Sequence, residues 1–163
     1  MKTLLIIRHA KSDQGFFGND FERPLNDRGK RDAPEMAKRI RSRNIAIDAF
    51  VSSPAVRAKK TAEFFCEVYN QKLSDIIFIS SLYHAPAPEF YEVIRSLDDK
   101  YDTIAIFAHN PGITYFVNEL VANTRVDNMP TAAVFAIQMP SGQWKDFASS
   151  KKEFLFFDYP KNN

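Results

Sequence analysis

The chain has 163 residues, 45% hydrophobic and 26% charged, which allows a single domain over residues 1–163 with a buried core and excludes a disordered or fibrous polymer. Lys and Arg number 22 against 20 Asp and Glu, and a net charge of +2 is too weak to imply nucleic acid as a partner. The single cysteine, Cys66, excludes an internal disulfide and a cysteine-rich metal site, and on its helix it reads as a core residue. No apolar run reaches the ~20 residues of a membrane helix or the roughly 7–15 of a secretory signal, so a soluble cytoplasmic protein with no membrane partner is expected.

The first element expected is a strand over 4–7, an unbroken apolar run of the kind buried on both faces of a parallel sheet. Residues 11–26 are polar and turn-rich and read as a loop. A helix is expected over 28–43, with Pro34 in or near its first turns. A short strand at 48–51 leads through Ser53, a fitting N-cap, and Pro54, a fitting first helical residue, into a helix over 55–69. A strand at 76–79, a Pro-rich loop at 80–88 and a helix at 89–97 follow. The next strand is 103–108, after which Asn110 can cap, and Pro111 open, a helix over 113–122. A strand at 132–139, a turn at Pro140-Ser141-Gly142 and two further extended stretches, 143–147 and 154–157, complete the chain. Strand and helix alternate, so the expected fold is α/β: a three-layer α/β/α sandwich around a mixed, mostly parallel sheet.

Three strands run into the same kind of segment. Residues 4–7 lead into Arg8-His9, 49–51 into Ser52-Ser53-Pro54 and then Arg57, and 104–108 into His109-Asn110-Pro111. In a parallel sheet these turns share one edge, where ligands bind beyond the carboxyl ends of the strands. Arg8 and Arg57 then offer forked donors, and the helix starts add backbone N–H groups, all suited to a phosphoryl dianion. A neutral histidine is a competent nucleophile, and positive neighbours favour the neutral form, a condition that His9 meets beside Arg8.

These motifs carry a resemblance. Leu5-Ile6-Ile7-Arg8-His9-Ala10 resembles the Arg-His-Gly signature of the histidine phosphatase, or phosphoglycerate mutase-like, superfamily, with Ala10 in place of the usual Gly. Ser52-Ser53-Pro54-Ala55-Val56-Arg57 resembles its second motif, Ala108-His109-Asn110-Pro111-Gly112 its third, and Pro24-Leu25-Asn26-Asp27-Arg28-Gly29 the turn that opens its first helix. The short chain and Arg23-Pro24-Leu25 look like the small SixA-type phosphohistidine phosphatases. The resemblance implies that His9 attacks phosphorus, that Arg8, Arg57 and His109 stabilise the phosphoryl oxygens, and that water releases phosphate. It implies no metal or other cofactor, because the arginines supply the positive charge. Lys11, Arg23, Ser53 and Asn110 are candidate substrate contacts.

Larger family members place a Glu after a middle strand to protonate an alkoxide. The corresponding stretch here, Ser81 onward to Glu89, offers no clear match. Imidazole leaves far more easily than an alkoxide, so a site without a placed acid suits phosphohistidine on a protein. Two alternatives are a phosphatase of small phosphate esters using Glu89, Glu92 or Tyr83 as acid, and a non-catalytic phosphoprotein-binding module. His84, in the Pro-rich loop, reads as a bystander or substrate contact.

Overall fold

The structure is a computed structural model that describes residues 1–140 and 142–162. The apolar run of the first strand, β1 (Lys2–Arg8), sends Leu4 and Ile6 to one face and Leu5 and Ile7 to the other, all fully buried. A strand that is apolar on both faces needs a layer on each, and the remaining elements supply them. They are α1 (Asp27–Arg41), β2 (Ala49–Ser52), α2 (Val56–Val68), β3 (Ile77–Phe78), α3 (Ala87–Arg95), β4 (Thr103–Ala108), α4 (Gly112–Asn118), β5 (Val134–Met139) and β6 (Glu153–Asp158). The sheet has six strands in the order β3-β2-β4-β1-β5-β6. The first four in that order are mutually parallel, while β5 and β6 run antiparallel. One core joins Leu5, Ile7, Phe50 and Phe107 to Met36, Ile40 and Phe65 of α1 and α2. The other joins Leu4, Ile6, Ile106 and Phe135 to Phe90, Ile94 and Phe116 of α3 and α4. The expected three-layer sandwich with a mixed, mostly parallel sheet is the observed fold.

Local departures from the expected elements have physical causes. The first long helix starts at Asp27, one residue earlier than expected, because Asn26 caps it by accepting from the Gly29 N–H at 2.9 Å. Pro34 lies in mid-helix rather than in the first turns, and its missing N–H leaves the Lys30 carbonyl without its helical partner. Pro54 precedes α2 by two residues, so it is not the first helical residue, and Ala55 stands at the N-cap without a side-chain bond. The α4 helix stops at Asn118, short of 122, because the Asn118 amide turns to bond both the carbonyl and the N–H of Val126 at 2.8 Å. Positive φ at Ala132 delays β5 to Val134. The stretch 143–147 is a 3-10 turn instead of a strand: Trp144 is fully buried and its indole donates to the Tyr101 carbonyl at 2.8 Å. β6 pairs with β5 as the edge strand, with a bulge at Leu155. In the expected turn at 140–142, Ser141 lies outside the described residues.

Two glycines fix how loops meet helices. A Cβ on Gly29 would collide with the Lys11 carbonyl oxygen, and one on Gly112 with the Ala85 carbonyl oxygen. The second contact seats the 83–86 loop against the start of α4.

Candidate active site

β2, β4 and β1 are consecutive neighbours in the sheet and parallel, so their carboxyl ends open side by side. Arg8 and His9 follow β1, Ser53 and Arg57 follow β2, and His109 follows β4. β5 enters from the same edge, and its approach brings the Met129 carbonyl to accept from Arg8 Nη1 at 2.9 Å.

His9, Arg57 and His109 are 5%, 4% and 3% exposed, an unusual degree of burial for such groups. The two imidazoles stand 5.2 Å apart, tilted by 51°. His9 Nδ1 lies 2.7 Å from the Ala10 carbonyl, so that nitrogen carries the proton and Nε2 keeps its lone pair. Burial, the adjacent His109 and the charges of Arg8 and Arg57 hold His9 well below its ordinary pKa. Burial and then Arg57 push His109 down to about 3. Burial, Arg57 and Arg23 lower Arg8. Two neutral imidazoles thus share the site with two cations. Three buried nitrogens in this cluster find no partner: Nε of Arg8, Nε of Arg57 and Nδ1 of His109.

Thr61 ties two of the motifs together. Its hydroxyl accepts from the Ala10 N–H at 2.9 Å and donates to the Arg57 carbonyl at 2.8 Å. The segment after the nucleophile candidate is therefore bolted to the helix that carries Arg57.

The outlying candidates divide. Ser53 is part of the cluster: its Oγ lies 2.8 Å from His109 Nε2 and also accepts from the Ala55 N–H at 3.2 Å. Arg23 reaches the rim, donating to Ser12 Oγ and, at 2.9 Å, to Asp20 Oδ1. Lys11 is half-buried, and the only bonds recorded for it among the described residues are through its backbone, where its carbonyl accepts from Asn26 at 3.0 Å. Asn110 does not cap α4; Pro111 precedes that helix, and the Asn110 amide donates to Asn128 Oδ1 at 3.0 Å and the Met129 carbonyl at 3.1 Å. Glu89 is half-buried, and Glu92 is exposed and pairs with Arg95; no bond joins either to the cluster among the described residues. Among the described residues no group of three or more His, Cys, Asp or Glu side chains could hold a metal ion, and no helix is long and apolar enough to cross a membrane.

One group escaped the sequence reading. Asp20, in a 3-10 turn of the 11–26 loop, receives Arg57 twice: Nη1 donates to its carbonyl at 2.8 Å and Nη2 to its Oδ2 at 3.1 Å. Tyr83 Oη donates to the same Oδ2 at 2.7 Å. That bond, with those from Arg23 and Arg57, holds the Asp20 carboxyl far below the ordinary carboxylate range. An aspartate in a polar loop, 37 residues from its partner, carries no periodic signal.

Residues 4–76 match the histidine phosphatase superfamily (branch 1). A Mycobacterium leprae protein, ML1117, is 25% identical, the match covering 95% of this chain and 100% of the relative. Among solved structures, the protein named SixA from Agrobacterium tumefaciens superposes with a TM-score of 0.82 at 20% identity, covering 98% of both chains. A protein histidine phosphatase SixA complexed with tungstate superposes with a TM-score of 0.83, again at 20% identity and 98% of both chains. The Arg8-His9 motif lies inside the segment that matches the histidine phosphatase superfamily, and the fold is that of the SixA structures over 98% of the chain.

Proposed function

We propose that the chain is a phosphatase that works through a phosphohistidine at His9 and removes phosphoryl groups from phosphohistidine on a protein. One observation carries this reading: three buried nitrogens without a partner belong to Arg8, Arg57 and His109, the groups whose charge or proximity acts on the imidazole of His9. Orphaned buried polar nitrogens are costly, and the oxygens of a phosphoryl anion are acceptors of the kind they lack. The tungstate held by a protein of the same fold is such an anion.

The chemistry follows from the protonation states. His9 Nε2 attacks phosphorus with its lone pair. The bond from phosphorus to the substrate's ring nitrogen breaks, and its electron pair leaves with that ring. Arg8, Arg57 and His109 hold the charge spread over the phosphoryl oxygens. Water then attacks phosphorus and loses a proton, the electron pair returns to Nε2, and phosphate departs. The cluster holds no carboxylic acid placed to protonate an alkoxide, which favours a leaving group that needs none.

Turnover with radiolabelled phosphohistidine protein, quenched within the first cycle, is expected to leave label on His9 and none on the His9→Ala variant. Turnover of alkyl phosphate esters faster than phosphohistidine would instead support the small-ester reading. Tight binding of phosphoprotein without any turnover would support the binding-module reading.

A further inference from the structure

Among the described residues Asp20 is the one carboxylate bonded into the cluster, and its position has a consequence for the leaving group. The side chain is 45% exposed, whereas those of Arg57 and His9 are closed off from solvent. In-line displacement puts the leaving group opposite the nucleophile. His9 is buried, so the leaving group emerges toward the opening, where Asp20 and Tyr83 stand.

A carboxylate there is at first sight wrong, since it repels a phosphoryl dianion. Nor can it serve as an acid, because three donors converge on it and keep it ionised. It does have an acceptor position to spare. A carboxylate offers about four lone-pair sites. Oδ2 takes Arg57 and Tyr83, while Oδ1 takes only Arg23. A ligand that brings an N–H, and positive charge with it, reconciles the site. Phosphohistidine protonated on its second ring nitrogen is such a ligand.

We propose that Asp20 binds the leaving group, its carboxylate accepting a hydrogen bond from the protonated imidazole ring of the substrate phosphohistidine. The proposal rests on the reading of the chain as a phosphohistidine phosphatase and names the substrate form that it selects, the imidazolium. The P–N bond breaks, its electron pair cancels the ring's positive charge, and a new P–N bond forms at His9. The ring's proton stays on the ring throughout. The carboxylate thus favours the protonated, more labile substrate, and it gives no such help to an ester, which has no charge to offer.

The charged and titratable groups facing Asp20 are Arg23 on its own loop, Arg57 on α2 and Tyr83 after β3, with His109 beyond them. The His84 ring lies 3.9 Å from that of Tyr83.

The test compares the full chain with its Asp20→Asn variant on phosphoimidazole and on p-nitrophenyl phosphate. Asn keeps the size and an acceptor oxygen but loses the charge. The ratio of kcat/KM for phosphoimidazole to that for the ester is expected to fall by about ten- to a hundredfold. The alkaline limb of kcat on phosphoimidazole, where the bound imidazolium loses its proton, is expected to move to lower pH in Asp20→Asn and to persist in His84→Gln. A ratio that holds while both rates fall by a common factor overturns the proposal and makes Asp20 a positioning residue for Arg57. Loss of the limb in His84→Gln also overturns it. Failure of the broader reading is separately visible in the native chain, as faster turnover of the ester with no label on His9.

Discussion

His9 and His109 face each other across 5.2 Å, both buried and both neutral, with Arg8 and Arg57 beside them. The arrangement makes stability depend on pH with a definite sign. Each imidazole has a folded-state pKa below its unfolded value of about 6.5. Below that value the unfolded chain takes up protons that the folded chain refuses, so stability falls as pH falls. Each histidine contributes a slope approaching 1.4 kcal/mol per pH unit, that is about one proton's worth, through the range near pH 5. Denaturant melts at pH 7 and pH 5 are expected to show this loss, and the His9→Gln/His109→Asn double variant to show a flatter dependence. A depressed pKa also keeps His9 nucleophilic in acid, so the acid limb of activity is expected below pH 6.5.

Arg57 is bonded in a fork, through Nη1 and Nη2 to Asp20, with Nε left for another acceptor. Lysine keeps the charge and loses the fork. Arg57→Lys is expected to lower kcat by about a hundred- to a thousandfold while leaving the melting temperature nearly unchanged. Steady-state kinetics beside a thermal melt separates the two effects.

Thr61 carries a structural duty that a β-branched isostere cannot meet. In Thr61→Val the Ala10 N–H is left unbonded in a fully buried place. A cost of about 1–3 kcal/mol is expected by denaturant unfolding. Because Ala10 follows His9 directly, kcat is expected to fall as well.

Gly112 is fixed by the approach of the Ala85 carbonyl. Gly112→Ala forces the 83–86 loop away from α4, and with it Tyr83, whose hydroxyl reaches Asp20. A loss of about 1–3 kcal/mol is expected, together with a weakened selection for phosphoimidazole over esters. Paired melts and kinetics on both substrates check it.

The sequence made the core of the site legible because three buried strands each end in a residue type that is rarely buried. Arg8, His9 and His109 immediately follow apolar runs, and Arg57 follows a short one by a turn. Parallel pairing then placed them together. The rest depends on long-range contacts. Asp20 meets Arg57 only because the 11–26 loop folds back over α2, and Met129 meets Arg8 only because β5 is antiparallel. Asn110 misled through local logic: an Asn-Pro before a helix fits a cap, but its amide is drawn to Asn128 and Met129. The stretch 143–147 misled similarly, since burial of the Trp144 indole against Tyr101 overrides an extended pattern.

The sheet order has a bearing on synthesis. Leu5 pairs with Ala105 on one side and Ala136 on the other, so β1 leaves the ribosome long before either neighbour exists. Until then its apolar faces and both its edges lack their native cover in the nascent chain, a state prone to misassociation. Chaperone engagement is therefore expected to be strongest on chains stalled between α2 and β4, and to drop once residues through β5 have emerged.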